Sequence, residues 1–347
     1  MLGQVGRQTE HLAFSERADY PFDLIHTVCC LAGSPSFLED LCVTLRHHGV
    51  MRAVAAHNTA ALFEWLVGLL SYQGIADSVA AGYMERHGRV SWNDIAAGLV
   101  QAPECPKLSS YWQFNGCQYQ KAAASCAQPG HFQTCPLPTH RLRNGHLNQL
   151  AYSLFLFIRD IADGDLVGWV DQRLAQADEP DQPQRHERLR EAVIGPLRHV
   201  YGVSDKVLNM ACADLLLGAG KDRPLWLQAG GSMVAIDTLV HNFLHRTGIL
   251  KRLNASHPYG PACYRPGGCA DIIGRATQHI DARTFNRRFP QVFPRFVQHA
   301  IWRYCAQDVF DVCNGNTIDD RDRCANDYCR IYSICDRIVL QKKQVKA

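Results

Sequence analysis

The 347-residue sequence has no long apolar run, and no segment in which apolar and polar residues alternate strictly. Its longest apolar stretches, such as Leu66–Leu70 and Leu154–Ile158, are far shorter than the roughly 18 residues that a membrane span needs. A polar start predicts no secretory signal, so we expect a cytoplasmic protein with no membrane partner. Without strand alternation or internal repeats, the pattern predicts a mostly α fold.

The sequence also lacks a large excess of either acidic or basic residues. The 36 basic residues stand against 33 acidic ones and leave a net charge of +3. A surface for nucleic acid would therefore be a local patch rather than a field of the whole chain. The composition, 47% hydrophobic and 20% charged, excludes disordered, collagen-like and coiled-coil chains and suits two lobes or one large domain.

Cysteine, in contrast, is abundant. Fifteen cysteines are many for a chain without an export signal, because thiols in a reducing compartment serve mainly as metal ligands or small core residues. The number is odd, so at least one thiol stands outside any intrachain disulfide. Sixteen histidines add to the metal interpretation, whereas isolated cysteines such as Cys42 and Cys212 are predicted to lie in the core.

Apolar residues recur at helical spacing over most of the chain, and Asn58 is predicted to cap one of the helices. Proline and cysteine interrupt this pattern at residues 102–146, which form an irregular insert, and residues 176–185 have the composition of an exposed linker. The sequence thus divides into an N-terminal helical segment (1–54), a helical lobe with the insert and linker (55–200), a central segment (201–250) and a C-terminal segment (251–347).

Helical periodicity is clear in the second half of the chain. Gly218–Gly231 is predicted as a glycine-bearing loop, and residues 254–270 are rich in proline and glycine. The predicted helices of this half are His186–Val200, Asp205–Leu217, Thr238–Thr247 and Pro294–Val312.

Two short segments carry the chemistry. Residues 201–206, Tyr-Gly-Val-Ser-Asp-Lys, form a tight turn between two predicted helices, where backbone N–H groups and the helix dipole suit a phosphate. Further along, the apolar residues 234–236 are followed by Asp237, which lies at the start of a predicted helix. Taken singly, Asp237 is better explained as a simple N-cap and Lys206 as a solvated helix lysine.

Together these segments resemble the helix-hairpin-helix DNA glycosylase superfamily, most closely its endonuclease III branch. The family hairpin Leu-Pro-Gly-Val-Gly-x-Lys corresponds to residues 200–206, and the family aspartate segment corresponds to residues 236–246. Residues 69–73, Leu-Leu-Ser-Tyr-Gln, match the family's Leu-Leu-Ser-x-Gln. The resemblance covers roughly residues 55–125 and 186–340, and it implies a two-lobed helix-hairpin-helix fold with irregular Cys-rich inserts.

The sequence departs from the family inside the hairpin. Tyr201 replaces the family proline and Ser204 replaces the second glycine, and both changes weaken the grip of the turn on a phosphate. An insert near Leu217–Ser232 also lengthens the spacing between hairpin and aspartate.

The resemblance implies an enzyme that flips a damaged or modified base out of double-stranded DNA and cleaves its N-glycosidic bond. Asp237 would stabilise the positive sugar, and Lys206 would be the nucleophile of an associated AP-lyase activity. No motif identifies the excised base. The residues that would contact DNA are Gln73, which fills the gap left by the base, and Gly202, Val203, Ser204 and Arg246.

Four cysteines of the C-terminal segment, Cys313, Cys324, Cys329 and Cys335, suit either tetrahedral zinc or a [4Fe–4S] cluster. The resemblance favours the [4Fe–4S] cluster, because endonuclease III-like enzymes end in a four-cysteine cluster loop with the same last gap of five residues. Cys305 is a candidate to replace Cys313, although its position in a helix predicts burial in the core.

Other cysteine groups carry a weaker metal signal. A metal would help to order the insert, but the gaps between its cysteines match no zinc pattern. Cys263 and Cys269, near His257, are weaker still as metal ligands. The four insert cysteines are Cys105, Cys117, Cys126 and Cys135.

Two alternatives to an enzyme remain open. The scaffold could bind DNA structures as a non-catalytic iron–sulfur protein, because the hairpin is altered and the inserts are large. The chain could also be an unrelated α-helical metalloprotein. In the DNA interpretations we expect a nucleoid-associated monomer.

Overall fold

The computed structural model describes residues 20–71, 77–87, 90–101, 105–120, 125–126, 149–182, 184–315 and 317–341. Over these residues the chain is mostly helical, which confirms the predicted class. It forms two compact units. The terminal unit comprises Met1–Leu38 and Gly231–Ala347, and the central unit comprises Glu39–Gly230.

Sixteen α-helices, a few short 3-10 helices and one pair of short strands make up the regular structure of the described residues. The helices are α1 (Tyr20–Ala32), α2 (Phe37–His47), α3 (Val50–Ala55), α4 (Thr59–Ser71), α5 (Asp77–His87), α6 (Trp92–Gln101), α7 (Tyr111–Phe114), α8 (Gln149–Asp160), α9 (Leu166–Ala177), α10 (Arg185–Leu197), α11 (Asp205–Gly218), α12 (Pro224–Ser232), α13 (Thr238–Arg246), α14 (Ile249–Arg252), α15 (Cys269–Ala276) and α16 (Pro294–Cys305). The strands are β1 (Tyr119–Gln120) and β2 (Ser125–Cys126), which pair antiparallel with Tyr119 opposite Cys126.

Helix α4 lies at the centre of the central unit. The side chain of Asn58 accepts a hydrogen bond from the backbone N–H of Ala61 at 3.1 Å, which confirms the predicted cap. The apolar face of α4 packs against α8, α9 and α11. Every residue of α8 from Gln149 to Ile158 is buried, as expected of a helix that is surrounded by others. Cys212, predicted as a core residue, is buried in α11.

Helix α16 lies at the centre of the terminal unit, where it packs against α1, α13 and α15. It begins with Pro294 at its first turn, where the missing N–H costs no hydrogen bond. It ends at Cys305 rather than at the predicted Val312. Ala306 leaves the helical conformation with ψ at 133°, and the side chain of Asn314 donates a hydrogen bond to the carbonyl of Cys305 at 2.5 Å.

The loop predicted at Gly218–Gly231 is wrong over most of its length, because Pro224–Ser232 is helical. Pro224 begins the helix. Gly230, which suggests a loop by composition, instead allows α12 to approach α11 closely. A Cβ on Gly230 would stand 2.9 Å from the Cβ of Leu216 and 3.0 Å from the Cγ of Leu217. Glycine is therefore required here by packing of α12 on α11 rather than by backbone flexibility.

No single helix in the described ranges is long and apolar enough to cross a membrane. One bent pair of helices, Pro21–Ala32 with Phe37–His47, is long and apolar enough only when the two helices are taken together, by length and composition.

We expect Gly230→Ala to lower the free energy of unfolding by about 1–3 kcal/mol, because the new methyl group collides with atoms near the backbone of α11. Gly82→Ala is the matched control, since a Cβ there meets nothing within 4 Å. That substitution in helix α5 should stabilise the protein by about 0.5–1 kcal/mol. Urea unfolding measures both variants. Equal stability of the two variants would contradict the packing role of Gly230.

Candidate functional site

Helix α13 begins at Asp237 and positions the polar residues of the terminal unit. The carboxylate Oδ1 of Asp237 accepts a hydrogen bond from the backbone N–H of Val240 at 2.9 Å, so Asp237 is the N-cap of α13, as predicted. The chain before it is buried, and the backbone N–H of Ile236 donates to the hydroxyl of Tyr264 at 2.8 Å. Asp237 is half-buried in this position.

One turn into α13, His241 joins a group of four metal-ligating side chains, which we call the His/Cys quartet. Among the described residues, only this group brings three or more such ligand atoms within 4.8 Å of one another. Nδ1 of His241 lies 3.4 Å and 3.5 Å from two cysteine sulfurs, and one of these sulfurs lies 3.3 Å from Nε2 of a second histidine. The quartet consists of His241, His257, Cys263 and Cys269. It could bind a metal ion.

The loop between α14 and α15 supplies His257 and Cys263, and the start of α15 supplies Cys269. The loop backbone folds closely on itself, because a Cβ on Gly268 would stand 2.4 Å from the carbonyl oxygen of Ala262. Cys263 lies in a 3-10 turn (Pro261–Tyr264), and Cys269 is the first residue of α15. Both thiols are fully buried.

The quartet favours a thiolate at one of its cysteines. The hydrogen bond from the Cys269 thiol lowers the pKa of Cys263 well below its ordinary value, against the effect of burial. The same hydrogen bond, together with burial, raises the pKa of Cys269. The pair thus favours the thiolate, the form of cysteine that binds metals, at Cys263 rather than at Cys269.

The four C-terminal cysteines come together at the other end of α13. They line one cavity together with Arg246, the last residue of α13, and Arg337. Burial, with the neighbouring thiols, raises the pKa of Cys335 to about 12. The hydroxyl of Tyr304 lies 3.1 Å from the sulfur of Cys329. The structure therefore gathers Cys313, Cys324, Cys329 and Cys335 in one place.

Cys305, considered as a replacement for Cys313, is buried in α16, as predicted for a core residue. It does not line the cavity, whereas Cys313 does. A hydrogen bond from the Cys305 thiol lowers the pKa of Cys313. Cys305 therefore contacts a thiol that lines the cavity without lining the cavity itself.

The structure corrects the prediction that Arg246 contacts DNA. Its side chain is 1% exposed, and its Nη2 donates to the carboxylate of Asp320 at 2.6 Å. A guanidinium held in this way is not accessible to a phosphate on the surface of the protein. Its Nη1 is buried and has no hydrogen-bond acceptor among the described residues, and the same holds for Nε of Arg337. Arg246 and Arg337, which both line the cavity, therefore each have an N–H group available to bind an anion.

The hairpin residues lie in the central unit, between the end of α10 at Leu197 and the start of α11 at Asp205. Gly202 has φ at 76°, a left-handed conformation that favours glycine. Gly202 and Ser204 are exposed, whereas Val203 and Lys206 are half-buried. The side chain of Ser204 makes no cap hydrogen bond with α11. Instead, Asp205 forms an ion pair with Arg198 at 2.9 Å.

Two predicted site residues, Gln73 and Cys135, lie outside the described residues. Of the other insert cysteines, Cys105 and Cys126 are buried and Cys117 is half-buried. Cys105 lies close enough to the other two for their charges to affect its pKa, which is raised above all by burial.

Sequence reasoning missed His241 as a ligand. It identified Cys263, Cys269 and His257 as neighbours in a loop that is rich in proline and glycine, but from α13 and its cap it named only Asp237 and Arg246. The available signal was the equal spacing of His257, Cys263 and Cys269, each pair separated by five residues. Only the fold shows that the fourth ligand is His241 in α13, 16 residues before His257 in the sequence.

Comparisons with protein-family profiles, with curated proteins and with solved structures find no match to this chain. Function must therefore be argued from the site itself.

We expect Arg246→Met to lower the free energy of unfolding by about 2–3 kcal/mol, because it leaves the partly buried carboxylate of Asp320 without its partner. Arg321→Met is the control. Arg321 forms an exposed ion pair with Asp319, which is next to Asp320, and its loss should cost less than about 0.5 kcal/mol. Chemical denaturation measures both variants. Equal losses would show that Arg246 is an ordinary surface cation.

Proposed function

We propose that the protein is a DNA base-excision repair glycosylase with AP-lyase activity and a C-terminal [4Fe–4S] cluster. The arrangement along α13 carries this proposal. A half-buried aspartate caps the N-terminus of the helix, and the arginine at its C-terminus lines a cavity with four cysteines. A carboxylate at a helix start and a nearby four-thiol loop are two of the features in which the sequence resembles endonuclease III-like enzymes.

The spacing of the four thiols supports a cluster rather than a single zinc ion. Four thiolates around one zinc ion stand about 3.8 Å apart, given Zn–S bonds of about 2.3 Å. In the described residues, the quartet is the only group of three or more ligand atoms that all lie within 4.8 Å of one another. The four cavity sulfurs therefore do not lie as close together as the ligands of a single ion. A [4Fe–4S] cluster separates its thiolates, since each binds a different iron.

The charges of the cavity also fit a cluster. Four thiolates around a [4Fe–4S] core form an anionic group, and the spare donors of Arg246 and Arg337 suit an anion. Cys313, Cys324, Cys329 and Cys335 would be its ligands. When bound, such a cluster supplies folding free energy and a redox-active centre.

Asp237 is the proposed catalytic carboxylate. Its hydrogen bond from Val240 and the N-terminal dipole of α13 both favour the ionised form. A fixed anion stabilises the positive charge that develops on the sugar as the N-glycosidic bond breaks. It also accepts a proton from the attacking nucleophile. We keep Lys206 as the proposed nucleophile, whose attack on the anomeric carbon gives a Schiff base and leads to strand cleavage by β-elimination.

The hairpin would hold a DNA phosphate through backbone N–H groups at the start of α11. The left-handed Gly202 and the exposure of Ser204 support this role. One specific observation favours the alternative of a non-catalytic DNA-binding iron–sulfur protein. Tyr201, which replaces the family proline, donates its backbone N–H to Ser153 at 3.0 Å, so the turn is anchored differently from the family hairpin.

Anaerobically purified protein should hold about four irons in the C-terminal cavity of each chain and show broad visible absorption from sulfur-to-iron charge transfer. Cys324→Ser should lose this iron, because it removes one of the four ligands. Cys212→Ser, which alters a buried thiol of the central unit, should keep it. Metal analysis and absorption spectra measure the outcome. Zinc without iron in the wild-type protein, lost on Cys324→Ser, would exclude the cluster.

Asp237→Asn tests catalysis separately from folding. Asparagine caps a helix as well as aspartate, so the free energy of unfolding should change by less than about 0.5 kcal/mol. Base excision should fall by about 10²-fold or more, because the negative charge is lost. The assay uses duplexes that each carry one damaged base. Asp165→Asn is the control, since Asp165 also caps a helix through its carboxylate and should keep full activity.

The same duplexes test the proposed nucleophile. Lys206→Gln should abolish strand cleavage and the borohydride-trapped protein–DNA adduct, while the exposed Lys221→Gln keeps both. Full activity in Asp237→Asn would contradict the catalytic assignment. Salt-dependent DNA binding by a wild-type protein that excises none of the bases would favour the non-catalytic alternative.

A further inference from the structure

The His/Cys quartet has the dimensions of a tetrahedral zinc site. Zinc binds sulfur at about 2.3 Å and imidazole nitrogen at about 2.0–2.1 Å, so neighbouring sulfur and nitrogen ligands stand about 3.6 Å apart. Three of the four nitrogen–sulfur pairs of the quartet lie 3.3, 3.4 and 3.5 Å apart. All four ligand atoms lie within 4.8 Å of one another, which is the reach of one ion.

The arrangement of nitrogen and sulfur excludes a two-iron centre. Where two cysteines and two histidines hold a [2Fe–2S] cluster, both histidines bind one iron and both cysteines bind the other. The histidine nitrogens would then be separated from the sulfurs by the cluster. In the quartet each histidine nitrogen lies within 3.5 Å of a cysteine sulfur. Such a mixed set of two sulfurs and two nitrogens is typical of a single zinc ion.

The second histidine is already oriented for coordination. Nδ1 of His257 donates a hydrogen bond to the carbonyl oxygen of Ala255 at 2.6 Å, because a carbonyl can only accept. This bond fixes the tautomer in which Nε2 carries the lone pair, and Nε2 is the atom that faces Cys269. Metal-binding histidines characteristically use their second ring nitrogen in this way.

Burial indicates that the site is closed. His241 is 5% exposed, and the two thiols are fully buried, so all but one of the ligands are inaccessible to solvent. Four protein ligands complete a tetrahedral shell and leave no position for water or substrate, which is the mark of a structural rather than a catalytic zinc.

The loop that carries the ligands needs such support. Residues 254–268 contain three prolines and three glycines. They include no α-helix and little that could form an apolar core of its own. Yet this loop contacts the segment that leads to Asp237, since the hydroxyls of Tyr264 and Tyr259 bind the backbone N–H and carbonyl of Ile236.

We infer that the His/Cys quartet is a structural zinc site, separate from the four-cysteine cavity, which fastens the loop 254–268 to helix α13. His241 provides the ligand from α13, the loop provides His257 and Cys263, and Cys269 at the start of α15 provides the fourth. The zinc thereby holds the two tyrosines against the approach to Asp237. The site requires no catalytic activity, so it stands whether or not the chain excises bases.

Metal analysis of the full-length chain should find one zinc per chain. His257→Ala and Cys263→Ser should each lower this zinc to less than roughly a tenth of the wild-type content while iron stays unchanged. Cys324→Ser should show the reverse, with zinc retained. Cys42→Ser, which alters a thiol of the central unit, should leave both metals in place.

Cobalt(II) exchanged into the zinc site identifies the ligands. We expect the intense visible bands of tetrahedral cobalt and a near-ultraviolet charge-transfer band from two thiolates. His257→Cys keeps four ligands and adds a third thiolate, so this band should grow roughly 1.5-fold. This variant decides the matter where the ligand-removing variants do not fold.

Three results would overturn the inference. The first is zinc that survives both His257→Ala and Cys263→Ser. The second is bound cobalt with the weak spectrum of octahedral coordination and no thiolate band. The third is an unchanged charge-transfer band in His257→Cys.

Discussion

Helix α13 places polar side chains in the interior of the terminal unit, and a buried polar group costs free energy unless it finds a partner. Asp237 finds its partner within the helix, at the backbone of Val240. His241 and Arg246 find theirs in segments that follow later in the chain. The positions of the loop 254–268 and of the C-terminal segment therefore depend on the polar residues of a nine-residue helix.

The C-terminal segment also completes the hydrogen bonding of this helix. The last carbonyls of an α-helix have no partner within the helix. The backbone N–H of Ile338 donates to the carbonyl of Arg246 at 2.8 Å, and that of Asp336 donates to the carbonyl of Thr247 at 3.2 Å. Two consecutive carbonyls at the end of α13 are thus satisfied by a tail with little regular structure. Backbone hydrogen bonds position this tail, and the side chain of Arg246 adds its ion pair with Asp320.

Local features could be predicted from the sequence, whereas features that need a distant partner could not. The mostly α class and the caps at Asn58 and Asp237 depend on residues within a turn of one another, so spacing predicts them. Gly230 suggests a loop by composition, but its contact with α11 decides its conformation. The burial of Arg246 depends on Asp320, 74 residues away, and the sequence does not reveal this separation as a contact.

The abundance of cysteine can now be divided by environment. A thiol that packs alone, such as Cys29 or Cys212, has its pKa raised by burial and serves as a small apolar side chain. The quartet mixes two thiols with two imidazoles within 4.8 Å of one another, whereas the cavity is lined by four thiols that are not gathered so closely and by two arginines. Ligand softness and spacing differ between the two sites, and such differences are what direct different metals to different sites. One helix thus contributes to both sites: His241 belongs to the quartet, and Arg246 lines the cavity.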